Sequence, residues 1–375
     1  MRILHVITTL DVGGAEMHIR SQVQGQVAAG HSVRVAYLKG QGTLADDFRG
    51  AGAEWVGSVS SGPGIVFALF AHLRWAELIH SHLLKADMAT AVLATLYGRR
   101  SRLVAGKHND EQVLKRPLVS FVHGLLGNLP RKTIVLSDHV GEFVRRYGRV
   151  SAKKIERVYY GIDPEPFEKA ADATADTKQR LCAELGLAPE DIVFTCVARF
   201  AAQKAHDVLL EAFAEARKET PNLRLLLVGG DPFGDGVERA KAHAIRLQLG
   251  DAVIFAGIRR DVPELLAISD VFVMSSLWEG LGLVFLEAMA TGIPVLATRV
   301  SAVPEVVVEN ETGVLVRPSD VPDLARGFTE LATNAALRER LGMAGRARVH
   351  ECFGLERMVQ ETLAIYSKVA GEELR

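Results

Sequence analysis

Cysteine is scarce: Cys182, Cys196 and Cys352 are the three in a chain of 375 residues. Odd in number and widely spaced, they provide neither a disulfide framework nor a metal knuckle. No run of 18 or more apolar residues occurs, which excludes a membrane-spanning helix. Neither sign of charge dominates, with 44 lysines and arginines against 45 acidic residues, so a generally basic nucleic-acid binder is excluded. The Gly-x-Gly-x-x-Gly spacing of a dinucleotide site is missing, and no acidic residue closes a second strand about 20 residues later. No Asp-x-Asp pair stands in a suitable loop. The one Asp-Asp pair, Asp46-Asp47, falls in a charged stretch that reads as an exposed helix. The start of the chain, Met1-Arg2 and then mostly apolar residues up to Asp11, reads as a strand, because no small-residue cleavage site follows. The expectation is a cytoplasmic protein, soluble or peripheral on the inner face of the cytoplasmic membrane.

What is present is length and alternation. At 375 residues the chain exceeds the usual domain of roughly 100–200 residues, so two domains are expected. Short β-branched runs at 3–8, 32–38, 103–105 and 133–136 alternate with helical patterns such as 15–28. The alternation resumes at 192–198, 224–228, 253–256, 271–274, 295–298 and 313–316, with helices at 208–218 and 237–249. Near-continuous apolar strands separated by helices predict parallel sheets covered on both faces. Between the two series, residues 164–190 are rich in charge and proline and carry no strand, which marks an interdomain joint with a helix near 176–185. Beyond about residue 320 only helices remain. The predicted architecture is α/β, with two Rossmann-like doubly wound domains facing one cleft: 1–163, then the joint, then 191–350. A C-terminal helix in 351–375 is expected to pack back towards the first domain.

Three segments offer chemistry at places where such sheets gather ligands. The first strand runs through Asp11-Val-Gly13-Gly14 into a helix, where glycines let backbone amides approach an anion or simply make a tight turn. Arg199 and Lys204 follow a strand end and precede a helix. They are either a surface pair or two cations placed to hold a diphosphate. Glu279 and Glu287 stand eight apart, the first in a loop with Gly280, Leu281, Gly282 and Leu283, the second on the helix that follows. A glycine loop at a helix start suits phosphate, and two carboxylates suit sugar hydroxyls.

This set, Arg199…Lys204 and then Glu279-Gly-Leu-Gly…Glu287 with Gly292 and Pro294, resembles the E-x7-E signature of glycosyltransferase family 4, whose members are retaining GT-B enzymes. The resemblance runs the length of the chain through Gly13-Gly14, Ser137-Asp-His-Val140, Gly161-Ile-Asp163 and Phe255-Ala-Gly257. It implies that Arg199 and Lys204 bind the donor diphosphate in place of a metal ion. It further implies that Glu287 takes the ribose and Glu279 the transferred sugar, with amides of 280–283 completing the site. Ile258 and Arg259 would lie beside the base, and His108 near the reacting sugar. His80 and His82 would be wall residues. No cofactor and no metal are implied; the donor is a UDP- or GDP-sugar and the acceptor a glycan or lipid-linked molecule. Two departures stand out: Tyr160 replaces the family's Asn before Gly-Ile-Asp, and Ser301-Ala302 replaces a Gly-Gly ahead of Val303-Pro304-Glu305. A non-catalytic sugar-nucleotide-binding subunit and a GT-B epimerase are the alternatives.

Charge is locally uneven. Residues 99–154 carry 13 basic and four acidic side chains, a surplus of nine. Within them Leu118, Phe121, Val122, Leu125, Leu126 and Leu129 form a helical stripe bracketed by Lys115-Arg116 and Arg131-Lys132. Such a stripe serves either a core helix or an interfacial helix on an anionic membrane.

Overall fold

The computed structural model describes the chain apart from residue 12, residues 60–63, 232–233 and 372–375, and the side chains of 64–67. The chain divides into two compact units, Met1–Gly161 with Phe353–Arg375, and Ile162–Cys352.

The first unit is built on seven parallel strands: β1 (Arg2–Ile7), β2 (Ser32–Tyr37), β3 (Trp55–Ser58), β4 (Leu78–His82), β5 (Leu103–Lys107), β6 (Lys132–Val135) and β7 (Ile155–Arg157). Their spatial order is β3-β2-β1-β4-β5-β6-β7, so the sheet reverses direction of growth between β1 and β4. The second unit holds β8 (Ile192–Val197), β9 (Leu223–Val228), β10 (Val253–Gly257), β11 (Val271–Met274), β12 (Val295–Thr298) and β13 (Gly313–Val316). Their order is β10-β9-β8-β11-β12-β13, reversing between β8 and β11. Loops at the carboxyl ends of β1, β4, β8 and β11 therefore flank the two switch points, where open α/β sheets bind ligands.

Local sequence sets the helices. Ser137 caps Asp138–Arg146 by accepting from the Val140 amide at 3.1 Å, and Asp320 caps Val321–Thr333 by accepting from Asp323. Each such cap contributes about 1 kcal/mol. The second unit's core centres on Phe194, Phe213 and Phe328, whose rings meet at 4.6 and 5.8 Å. Full burial stabilises each ring by about 1.5–3 kcal/mol. In the first unit the helix Leu355–Ala370 lies on the helix Gly14–Ala28 and reaches β4 and β5, driving Tyr366 fully into the core.

Three strands escape the sequence reading: β3, β4 and β7. β4 is the instructive one. Its sequence Leu-Ile-His-Ser-His looks polar, yet every residue is buried because β1 and β5 flank it. Residues 164–190, expected as a joint, fold as part of the second unit instead. The helix Glu165–Ala171 packs on the helices Val262–Ala267 and Leu283–Thr291, and Ala175–Glu184 follows it. Proline and charge there mark helix starts and solvent faces, not a linker.

Candidate active site

In the second unit, Lys204 leaves the end of β8 and Glu279 the end of β11, the two strands at the switch point. Lys204 Nζ donates to Glu279 Oε1 at 2.5 Å, with side chains 14% and 6% exposed. Ser276 Oγ donates to the same oxygen at 2.6 Å. The two loops are laced together: Ser275 Oγ donates to the carbonyls of Lys204 and Ala205, Leu277 N to the Gln203 carbonyl, and Gln203 Nε2 to the Trp278 carbonyl. Ala205 adopts φ 46° and ψ 51° as it caps the helix His206–Arg217, a left-handed conformation costly for any residue but glycine. The lacing holds that turn and so fixes where Lys204 points.

Gly282 caps the helix Leu283–Thr291 at φ 81°, and a Cβ there would strike the Phe285 ring at 2.5 Å. Only glycine serves at 282, where the loop of Gly280, Leu281 and Gly282 enters the helix with Leu281 buried. Glu287 lies one turn further along, and burial pushes its carboxyl up to about 7. Arg199 stands exposed at the end of β8. Ile258, just beyond β10, is 83% exposed, whereas Arg259 is held by Asp261 and Glu184. The structure thus joins Lys204 to Glu279 directly and sets Arg199, Ile258 and Glu287 on other elements of the same unit.

In the first unit, Gly13 caps the helix Gly14–Ala28, and a Cβ on it would meet Glu16 Oε2 at 2.5 Å. Glu16 is buried and accepts from Thr9 Oγ1 at 3.1 Å. Behind this loop lies a feature the sequence reading missed, a ladder of buried histidines. His5 on β1 pairs in register with His80 on β4, and His82 points the same way two residues on. His82 Nε2 meets His5 Nδ1 at 2.8 Å, and His82 Nδ1 meets His108 Nε2 at 2.9 Å. His108 Nδ1 meets the Tyr160 hydroxyl at 2.5 Å, and Tyr160 stacks on His18 with centroids 3.7 Å apart. His80 Nδ1 meets the Tyr366 hydroxyl at 2.5 Å. Burial lowers the pKa of His5 to about 4 and of His108 to about 3, and holds His18, His80 and His82 well below the ordinary value. All five rings are neutral at physiological pH.

Neutral imidazoles can ligate metal, and His5, His80 and His82 bring one nitrogen each within 4.8 Å of one another. Yet the His5 and His82 nitrogens are 2.8 Å apart, closer than the roughly 3.4 Å between tetrahedral ligands with Zn–N bonds of about 2.1 Å. The arrangement is that of a hydrogen-bonded ladder. The period-two spacing of His80 and His82 was its one visible sign; His5, Gln22, Gln26 and Tyr366 gave none.

Half of the apolar stripe faces outward, while Val122, Leu126 and Leu129 are half-buried. The helix Pro117–Leu126 buries Ser120 and His123, while Leu118, Phe121 and Leu125 are 74%, 53% and 61% exposed. Val92, Leu96 and Val113 are exposed nearby in the chain. A groove of about 680 Å³ is lined by Arg100, Arg131, Lys132, Lys153 and Lys154. No helix among the described residues is long and apolar enough to cross a membrane.

Comparison with known proteins decides the family. Residues 177–348 match the model for glycosyl transferases group 1, and residues 12–166 match the model for glycosyltransferase family 4. The chain belongs to glycosyltransferase family 4. Within this family it is 32% identical over 309 residues to the D-inositol 3-phosphate glycosyltransferase of Kribbella flavida, covering 80% of this chain and 67% of that one. It is 29% identical over 243 residues to spore coat protein SA of Bacillus subtilis, covering 63% of this chain and 64% of the relative, just under two thirds of its length. Among solved structures, Anabaena Alr3699/HepE in complex with UDP and glucose superposes with a TM-score of 0.86 at 21% identity, over 97% of this chain and 99% of that one. That likeness establishes the GT-B fold of this family 4 chain.

Proposed function

We propose that this family 4 chain transfers a sugar, with retention, from a UDP- or GDP-sugar to a glycan or lipid-linked acceptor, without a metal ion or other cofactor. The observation that carries the reading is the buried Lys204–Glu279 pair at the switch point of the second sheet. An ammonium and a carboxylate held there match the two halves of a nucleotide-sugar: Lys204, with Arg199, meets the diphosphate, and Glu279 accepts from sugar hydroxyls. Glu287 takes the ribose hydroxyls, the amides of 280–283 complete the phosphate and sugar site, and Ile258 and Arg259 border the base. Gly13 and Gly14 bind the donor through their backbone, and His108 lies near the reacting sugar. The bond from the anomeric carbon to the diphosphate breaks first, and Arg199 and Lys204 stabilise the departing charge. The acceptor oxygen then bonds to the same face, its proton passing to the released phosphate oxygen. The UDP held by Alr3699/HepE supports a nucleotide donor.

Thermal shift with UDP-, GDP- and ADP-sugars tests this, because a ligand that binds only the folded state raises its melting temperature. Stabilisation by one nucleotide class, lost in Lys204→Ala, is the expected result. No shift with any donor at saturation rejects the reading.

The acceptor side meets an anionic membrane surface, an inference supported by the exposed Leu118, Phe121 and Leu125 of Pro117–Leu126 and by the basic groove of the same unit. Co-sedimentation with phosphatidylglycerol vesicles, absent with phosphatidylcholine and weakened in Phe121→Ser, is expected. Equal binding to both lipids, or none, overturns it.

A further inference from the structure

The histidine ladder has a direction, and the direction can be read from one end. Thr362 Oγ1 must donate to the Met358 carbonyl at 2.8 Å, since a carbonyl only accepts. Its remaining role is to accept, so Gln22 presents Nε2 to it at 2.9 Å and turns Oε1 towards Gln26. Gln26 Nε2 donates to that oxygen at 3.2 Å, which leaves Gln26 Oε1 to accept from His5 Nε2 at 2.9 Å. A neutral His5 with its proton on Nε2 has a bare Nδ1, and it accepts from His82 Nε2. By the same logic His82 Nδ1 accepts from His108 Nε2, and His108 Nδ1 accepts from the Tyr160 hydroxyl. Every proton in the run is assigned, and every member belongs to the first unit. Packing enforces the line: a Cβ at Gly106 would lie 2.8 to 3.0 Å from nitrogens of His82, His80 and His108.

We infer that Tyr160 and Thr362 are positioning residues, which from opposite ends of this hydrogen-bond chain fix His108 as a neutral imidazole protonated on Nε2. Both ring nitrogens of His108 are engaged inside the protein, so it exchanges no proton with a ligand and serves as a fixed neutral surface. The inference rests on the proposed function only in its consequence for turnover, where His108 faces the reacting sugar. Tyr160 is one of the two departures noted in the sequence, and its hydroxyl is the group that closes the chain.

Long-range ¹H–¹⁵N spectra of the full chain labelled in histidine, at neutral pH, read the tautomers directly. His108→Gln assigns the His108 signals. In the wild type His5, His82 and His108 are expected as single Nε2–H tautomers. Tyr160→Phe removes the donor to Nδ1, and an Nδ1–H population of His108 appears. Thr362→Val, at the far end, mixes the tautomers of His5 first and serves if Tyr160→Phe fails to fold. With an active donor, Tyr160→Phe lowers kcat by about tenfold, the scale of one buried hydrogen bond, and leaves the donor KM within about twofold. An Nδ1–H His108 in the wild type, or spectra unchanged in both variants, overturns the inference. If no donor is turned over by the wild type, the proposed function fails while the tautomers still decide this assignment.

Discussion

Both units set ionisable side chains beneath the carboxyl ends of the strands at their switch points, but they hold them in opposite states. In the second unit Lys204 and Glu279 form an ion pair, ammonium against carboxylate at 2.5 Å. In the first, five histidines are stripped of water until none is charged, and they satisfy each other as neutral donors and acceptors. One ion pair of the first unit, Lys107 with Asp87 at 2.5 Å, is nearly inaccessible and is bound further by Ser81 and His123. The difference separates two ways of presenting polarity from one kind of sheet. A paired charge can be redirected towards a ligand's charge, whereas a neutral ladder keeps geometry and offers no charge at all.

The comparison breaks most readily with acid. Histidines whose folded pKa is lowered bind fewer protons in the folded than in the unfolded state, so stability is full above about pH 6.5 and falls as pH drops towards 4. His5 and His108 predict a loss of about 4 kcal/mol in the first unit by pH 5, and His18, His80 and His82 act in the same direction. Hydrogen exchange at pH 7 and pH 5 should show β1, β4 and β5 opening before β8 and β11; simultaneous opening would refute the contrast.

Next in size is the ion pair. Lys204→Ala leaves the Glu279 carboxylate buried with Ser276 alone and should cost about 3 kcal/mol in urea denaturation. Lys204→Met with Glu279→Gln should recover most of that stability without restoring donor binding. If the double variant is no more stable than the single one, the cost lies in packing and not in charge.

Gly106→Ala attacks the ladder by volume alone. Its methyl would stand within 3.0 Å of three imidazole nitrogens, and a loss of about 1–3 kcal/mol is expected, with the β8 and β11 region unaffected. The smallest effect belongs to Ala205, held left-handed before the helix His206–Arg217. Ala205→Gly relieves that strain and should raise stability by about 0.5–1 kcal/mol, unless the gain is cancelled by a looser unfolded chain. A rise in melting temperature without loss of donor stabilisation would place the strain outside the binding role.

Much of the second unit's candidate site was legible because its residues coincide with the punctuation of the fold. Lys204, Glu279, Gly282 and Glu287 sit in loops and helix starts that periodicity alone can locate. The first unit was less legible for a physical reason. β4 buries two histidines and a serine, and a strand whose buried face is polar carries no hydrophobic signal. Gln22, Gln26, Thr362 and Tyr366 lie on two helices from opposite ends of the sequence, and only the fold brings them into one network. The stripe of Pro117–Leu126 had the opposite problem. Its periodicity was plain, but periodicity does not say which face a helix buries, and here Ser120 and His123 take the inside.

The helix Leu355–Ala370 gives the chain an unusual order of completion. Tyr366 and Met358 fill the core of the first unit, and Thr362 anchors its polar chain. As the polypeptide emerges from the ribosome, Met1–Gly161 precedes the second unit, yet its interior closes only with the segment that follows that unit. The second unit is contained in the single span Ile162–Cys352. The first unit is therefore begun before the second and completed after it, and a truncation that removes Leu355–Ala370 injures the unit built on Met1–Gly161.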